Sequence, residues 1–224
     1  MSHKPELNSS ADKSAVILIS GRGSNLLALL NADLGNCRIT AVISNKPNAE
    51  GLNIAKQHGI PTHVLNHRDY PDRESFDTAL ASSIDQHQPA LVILAGFMRI
   101  LTTDFVTHYQ GRLINIHPSL LPAYSGLHTH ERALNDGVRI HGCTVHFVTP
   151  ELDHGPIIIQ AAISVMMDDT PATLEARVLR EEHRIYPQAV RWFCSGDLIL
   201  DPNGKVSLNR MKQPGVALIS PGLE

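Results

Sequence analysis

The chain has 224 residues, 42% of them hydrophobic, with 19 basic and 22 acidic side chains and a formal net charge of -3. That length suits one packed domain, and an apolar fraction of this size excludes a disordered chain. The slight acidity offers no long-range attraction to a polyanion, which argues against nucleic acid as a partner.

Residues 1–14 are polar, lack the apolar core of a secretory signal and read as a flexible tail. The next short β-branched run, Ala15 to Ile19, predicts a strand that ends in Ser20-Gly21-Arg22-Gly23-Ser24-Asn25 before a helix. Ile39 to Ser44 predicts a second strand, Gly51 to His58 a helix, and Thr62 to Leu65 a third strand. Phe76, Leu80 and Ile84 recur at spacing four and mark a helix from Arg73 to Gln86. Ala90 to Leu94 is the most apolar strand, as expected for a sheet centre covered on both faces.

Leu113 to Ile116 predicts a strand running into His117-Pro118, and Leu127 to Asp136 a helix stopped by Gly137. Strands follow at Thr144 to Val148 and at Ile157 to Ile163. Thr170 and Pro171 are the N-cap and first residue of a long helix to about Cys194. Leu198 to Leu208, interrupted by Asp201-Pro202-Asn203-Gly204, reads as a hairpin, and 211–224 as an irregular tail. The alternation predicts an α/β fold: a Rossmann-like, mostly parallel twisted sheet with helices on both faces, in a single domain spanning 15–210.

Cys37, Cys143 and Cys194 are an odd number without CxxC spacing, so neither a disulfide framework nor a thiolate zinc site is indicated. No apolar run reaches the roughly 20 residues that span a bilayer, and a soluble, cytoplasmic protein is expected. The thirteen histidines form no HExxH pattern. His128 and His130 face different directions on their helix; His141 and His146 pack or hydrogen-bond near a strand; His3, His58, His63, His67, His87, His108 and His183 read as solvated. No metal is expected.

Gly21-x-Gly23-Ser24-Asn25 lies where helix N-terminal amides hold a phosphate. Its third dinucleotide glycine is replaced by Leu26, and no ribose-binding acid stands at Ser44 or Asn45. A mononucleotide-sized cradle and a plain glycine turn both fit. Asn115 and His117, two apart on a strand, point to the same side. They suit either an oxyanion site or a satisfied polar pair closing the strand. Asp153 in Glu151-Leu152-Asp153-His154-Gly155-Pro156 fits a carboxylate reaching that histidine, or an ordinary turn.

Gly21 to Asn25, Ala95-Gly96-Phe97-Met98-Arg99-Ile100-Leu101 and Asn115-Ile116-His117-Pro118-Ser119-Leu120-Leu121-Pro122 together resemble the phosphoribosylglycinamide formyltransferase family. Gly126 to His130, and Val145 to Val148 with Glu151 to Asp153, extend the resemblance, which runs from about Ala15 to Trp192. It implies 10-formyltetrahydrofolate as formyl donor and phosphoribosylglycinamide as acceptor. It also implies a phosphate-binding N-terminal half and a C-terminal half for folate and catalysis. Gly23, Ser24 and Asn25 would hold the substrate phosphate and Glu182 the glycinamide amine. Arg73, Met98, Arg99, Ile100, Leu101, Asn115 and Thr149, Pro150, Glu151, Leu152 and Asp153 would line the folate site. Asn115, His117 and Asp153 would be catalytic.

By spacing, Glu182 lies beside the Leu174, Val178 and Ile185 stripe, where it turns inward or keeps its tip in water. Pro150, His154 and Ser125 depart from the family pattern, and the first two would reshape the folate wall. A monomer or weak homodimer is expected. A methionyl-tRNA formyltransferase would carry a further RNA-binding domain. A formyltetrahydrofolate hydrolase would carry an N-terminal regulatory domain and a second His where Pro118 stands. A sugar-nucleotide formyltransferase and a catalytically silent nucleotide-binding module are the remaining alternatives.

Overall fold

The apolar runs align edge to edge into one seven-stranded sheet. The computed structural model describes residues 12–209 and Ser220, so residues 1–11 and nearly all of 211–224, the expected tails, lie outside the described residues. The strands are β1 (Lys13–Ile19), β2 (Cys37–Ser44), β3 (Thr62–Val64), β4 (Leu91–Leu94), β5 (Leu113–His117), β6 (Ile140–Phe147) and β7 (Ile157–Ser164). Their order is β3-β2-β1-β4-β5-β6-β7. The first five pair in parallel, while β6 is antiparallel to both β5 and β7. The sheet is therefore mostly parallel, as expected, with an antiparallel end.

Side chains alternate along β1 and feed two cores. Ile17 and Ile19 join Leu26, Leu29, Val178 and Tyr186 beneath α1 (Ser24–Asn31) and α6 (Pro171–Ser195). Val16 and Leu18 join Phe76, Leu80, Val92 and Phe105 beneath α3 (Arg73–Asp85) and α4 (Thr103–His108). Each fully buried Leu or Ile contributes about 1.5–3 kcal/mol. Burial on both faces explains why β1 and β4 read as continuous apolar runs. The remaining helices are α2 (Gly51–Gln57) and α5 (Thr129–Asn135), and a separate hairpin pairs β8 (Leu198–Leu200) with β9 (Val206–Leu208).

The structure moves several expected boundaries. β1 reaches back to Lys13, into the expected tail, and β6 begins at Ile140, four residues early. α5 starts at Thr129 because His128 is left-handed, with φ 57°. The six-residue α4 was not anticipated: Thr102 caps it by accepting from Phe105 N, but it is too short to display a period.

α6 begins as expected, with Thr170 and Thr173 capping each other across Pro171, and stops at left-handed Gly196. Pro187 lies inside it and offers no N–H to the preceding turn, yet the buried stripe of Leu174, Val178, Ile185, Tyr186 and Val190 carries the helix through. The Tyr186 hydroxyl donates to the Leu94 carbonyl at 2.9 Å and lies 3.3 Å from that of Ile114. That contact fixes α6 against the end of β4 and the start of β5. Tyr186→Phe removes it, and urea denaturation should show a loss of about 1–2 kcal/mol; an unchanged midpoint would deny the hydroxyl this role.

Candidate active site

The carboxyl ends of β1, β4 and β5 share one edge, and strand order reverses between β1 and β4. In open α/β sheets ligands enter the crevice at such a reversal. Three chain segments line it.

The first follows β1. Gly23 is left-handed, with φ 82°, and a Cβ there would stand 2.7 Å from Gly51 Cα, so the two backbones can touch only without a side chain. The Gly23 carbonyl accepts from Leu27 N at 2.8 Å and opens α1. The leading amides of a helix lack intrahelical acceptors, and here they belong to Ser24 and Asn25. The Asn25 side chain is committed elsewhere: its Nδ2 donates to Glu182 Oε2 at 2.7 Å, and its Oδ1 is buried without a partner among the described residues. Glu182 does turn inward, 7% exposed. Burial pushes its carboxyl above the usual range, against the lowering effect of Asn25.

The second segment, 95–102, follows β4 and is tied to the first through Ser20. Ser20 N donates to the Gly96 carbonyl at 3.1 Å, and Ser20 Oγ accepts from Met98 N at 2.8 Å while donating to Asn45 Oδ1 at 2.6 Å. Thr102 N donates to Asp77 Oδ2 at 2.6 Å. Asp77 is buried on α3, and desolvation raises its carboxyl although this bond, Arg99 and Arg73 oppose it. Met98 and Ile100 expose their apolar side chains, and Leu101 packs on the core under α3. Arg99 instead lays its guanidinium over the Phe76 ring at 4.7 Å. Arg73, at the start of α3, is half-exposed.

The third segment is the end of β5, where Asn115 and His117 share a face. His117 is 6% exposed. Its Nδ1 lies 3.5 Å from Asp153 Oδ2, and its Nε2 donates to the Tyr124 carbonyl at 2.9 Å. Asp153 Oδ2 also accepts from Gly126 N at 2.8 Å. Tyr124 and Asp153 both adopt φ 57°, so both acceptors on the imidazole come from left-handed residues, a conformation rare outside glycine. The turn carrying Asp153 folds back on β6 at Gly155, where a Cβ would meet the Phe147 carbonyl at 1.6 Å.

Asn115 Nδ2 lies 3.4 Å from His146 Nε2. His146 Nδ1 donates to the Phe147 carbonyl at 2.9 Å, which leaves Nε2 as an acceptor in the neutral ring. Burial pushes His146 down, and likewise His130 and His141, the last to about 4. His130 Nδ1 and His141 Nε2 meet at 3.2 Å. Three further imidazoles, each pushed toward neutrality by burial, thus accompany His117.

Of the expected residues, Asn115, His117 and Asp153 converge, and so do Asn25 and Glu182. Thr149 is half-buried, Pro150, Glu151 and Leu152 are exposed, and Thr149 Oγ1 donates to the Glu151 carbonyl. His154 Nδ1 donates to the Leu152 carbonyl at 2.8 Å and remains exposed. Sequence reasoning missed Ser20, Asp77, the Tyr124 carbonyl and the pairing of His146 with Asn115. An acid adjoining Phe76 on an apolar helix face was the available signal for Asp77. The histidines expected in solvent include exceptions: His63 and His87 pair through Nε2 atoms 3.1 Å apart, and His183 Nε2 is buried without a partner among the described residues.

Residues 13–190 match the formyl transferase family. Over 191 residues the chain is 51% identical to the phosphoribosylglycinamide formyltransferase of Escherichia coli, covering 84% of this chain and 90% of that one. It is 47% identical to the human trifunctional purine biosynthetic protein adenosine-3, matching 85% of this chain but only 19% of that protein. Phosphoribosylglycinamide formyltransferase from Coxiella burnetii, solved in complex with CHES, superposes with a TM-score of 0.84 at 50% identity, over 88% of this chain and 93% of that one. The likeness thus spans nearly the whole of the Escherichia coli and Coxiella burnetii relatives and includes all three segments of the crevice. The chain belongs to the phosphoribosylglycinamide formyltransferase family.

Proposed function

We propose that the chain transfers the formyl group of 10-formyltetrahydrofolate to the amine of phosphoribosylglycinamide, with Asn115, His117 and Asp153 as its catalytic groups. Transfer gives formylglycinamide ribonucleotide and tetrahydrofolate, a step of purine biosynthesis. The observation that carries the reading is the buried approach of His117 Nδ1 to Asp153 Oδ2 at the sheet edge that also opens α1.

The glycinamide nitrogen attacks the formyl carbon, the carbonyl pair moves to oxygen, and a tetrahedral intermediate forms. Collapse breaks the bond to the folate nitrogen, which takes a proton. One N–H of Asn115 faces His146 Nε2, so the other is available to the developing oxyanion. Both nitrogens of His117 face acceptors, and only the doubly protonated ring serves both with N–H groups. His117 serves the oxyanion, and relays the proton with the help of a water, by exchanging the Tyr124 carbonyl for substrate.

The backbone amides of Gly23, Ser24 and Asn25 suit the phosphate, since the Asn25 side chain is occupied. Glu182 Oε1 is left to accept from the amine. The exposed Met98, Ile100 and Leu152 side chains suit the flat folate rings, with the 98–101 backbone reading the pterin edge and Arg73 at the rim. No step requires a metal. A monomer or weak homodimer in the cytoplasm is the accompanying reading, supported by three free thiols; equilibrium sedimentation tests the assembly.

An absorbance assay of folate release, run with and without phosphoribosylglycinamide, tests the reaction. Release that ignores the ribonucleotide would indicate a hydrolase, and binding without release a silent module. His117→Ala and Asp153→Ala should fold yet lose about 10²–10³-fold in kcat; near-normal turnover in either would remove that residue from the mechanism.

Asp77→Ala frees the Thr102 amide and should raise the KM for the folate with a smaller change in kcat, because Asp77 shapes the wall without touching the reacting atoms. An unaltered KM would deny it this positioning role.

Burial raises the Glu182 carboxyl in the folded protein, so the fold keeps that proton longer than the unfolded chain does. The resulting stability is present below the ordinary glutamate range and lost as pH rises through the folded value. The thermal midpoint of Glu182→Gln relative to the parent should therefore be higher at about pH 8 than at about pH 4. A difference independent of pH would contradict this.

A further inference from the structure

Two polar ties cross from the turn after β1 to α6. Arg22 Nη2 donates to Glu175 Oε1 at 3.0 Å, and Asn25 Nδ2 donates to Glu182 Oε2 at 2.7 Å. Glu175 and Glu182 stand seven residues apart on α6, two turns, and so share one face of it. The ties straddle Gly23 and Ser24, where α1 opens with no side-chain cap and no acidic residue in its first turn. The partial positive charge of that helix end is left for an anion. Asn25 Oδ1, buried beside it without a partner among the described residues, offers an acceptor to a hydroxyl or amine of the same ligand.

The two ties differ in kind. The one from Asn25 is buried, whereas the Arg22 and Glu175 side chains are 78% and 48% exposed. An ion pair this open to water is weakly held. Glu175 also acts on the crevice: Glu182, raised first by burial, is raised further by its charge, and it opposes the burial that pushes His130 down. A phosphate seated on the Ser24 amide meets that same negative charge. The guanidinium beside the turn is the group that can reverse the sign.

Resting on the reading of Gly23 to Asn25 as the acceptor's phosphate turn, we propose that Arg22 is a further phosphate-binding residue, whose guanidinium passes from Glu175 to the phosphate monoester as the acceptor binds.

Arg22 directly precedes Gly23, so rotation about its side-chain bonds carries the guanidinium toward the turn while the backbone stays in place. Its planar fork suits two phosphate oxygens at once, and it leaves a single carboxylate oxygen behind. Glu175 recovers it when the product departs. No covalent bond changes in this exchange, so Arg22 binds and orients the acceptor and takes no part in proton transfer. An acceptor without a phosphate has nothing to draw the guanidinium from Glu175, which makes the pair a discriminator for phosphorylated acceptors.

The test is isothermal calorimetry of the full chain with phosphoribosylglycinamide in the absence of folate. Arg22→Ala should weaken binding by about 10-fold, as expected for the loss of one charge-assisted contact. Arg22→Lys keeps the charge without the fork and should recover part of that loss. Glu175→Gln releases the guanidinium and should tighten binding by about two- to five-fold. Added sodium chloride should weaken binding to the parent more steeply than binding to Arg22→Ala. Glycinamide riboside, which lacks the phosphate, should bind the parent and Arg22→Ala alike. Because the pair is exposed, all three variants should keep the parent's thermal midpoint to within about 2 °C. Unchanged affinity in Arg22→Ala, unchanged or weaker binding in Glu175→Gln, or an equal loss for the riboside would overturn the proposal. Formyl transfer is not measured, so those outcomes leave the reaction itself standing, whereas a parent protein that binds no phosphoribosylglycinamide would overturn both readings.

Discussion

The buried contact between the His117 imidazole and the Asp153 carboxylate organises the crevice. A carboxylate 8% exposed needs partners, and Asp153 has them in His117 and the Gly126 amide. That amide belongs to the turn whose Tyr124 carbonyl takes the other ring nitrogen. The turns on either side of the ring are thus bound to each other as well as to it. Their left-handed residues and the close approach at Gly155 hold both acceptors where extended backbone could not.

Burial then sorts the surrounding titratable groups. His130, His141 and His146 are pushed toward neutrality by desolvation, while Glu182 and Asp77 are pushed toward their protonated forms. Within the imidazole cluster, His117 is the ring nearest to a carboxylate. His146, its Nδ1 donating to the Phe147 carbonyl, turns Nε2 toward the Asn115 amide.

The same rigidity links the segments that follow β1 and β4. Ser20, at the end of β1, holds the segment after β4 through Gly96 and Met98, and Tyr186 ties α6 to β4 and β5. The Gly23 turn, the 95–102 segment and Glu182 are therefore referenced to one sheet edge. A formyl carbon and an attacking amine need that shared reference more than they need tight binding.

Local chemistry made a large part of this legible in advance. Continuous apolar runs announced β1 and β4 because both faces of those strands are covered, and Thr170-Pro171 announced α6 because capping is satisfied within a few residues. The two-residue spacing of Asn115 and His117 placed them on one face, since strand side chains alternate regardless of context. The ordered motifs carried the family. Strand direction is another matter: β6 runs antiparallel because of where the chain returns, which no local pattern encodes. The meeting of Asp153 with His117 and the anchoring of Thr102 by Asp77 each join groups distant in sequence. Such contacts are settled when packing brings whole elements together, because propensity and periodicity act over only a few residues while burial and charge act through space.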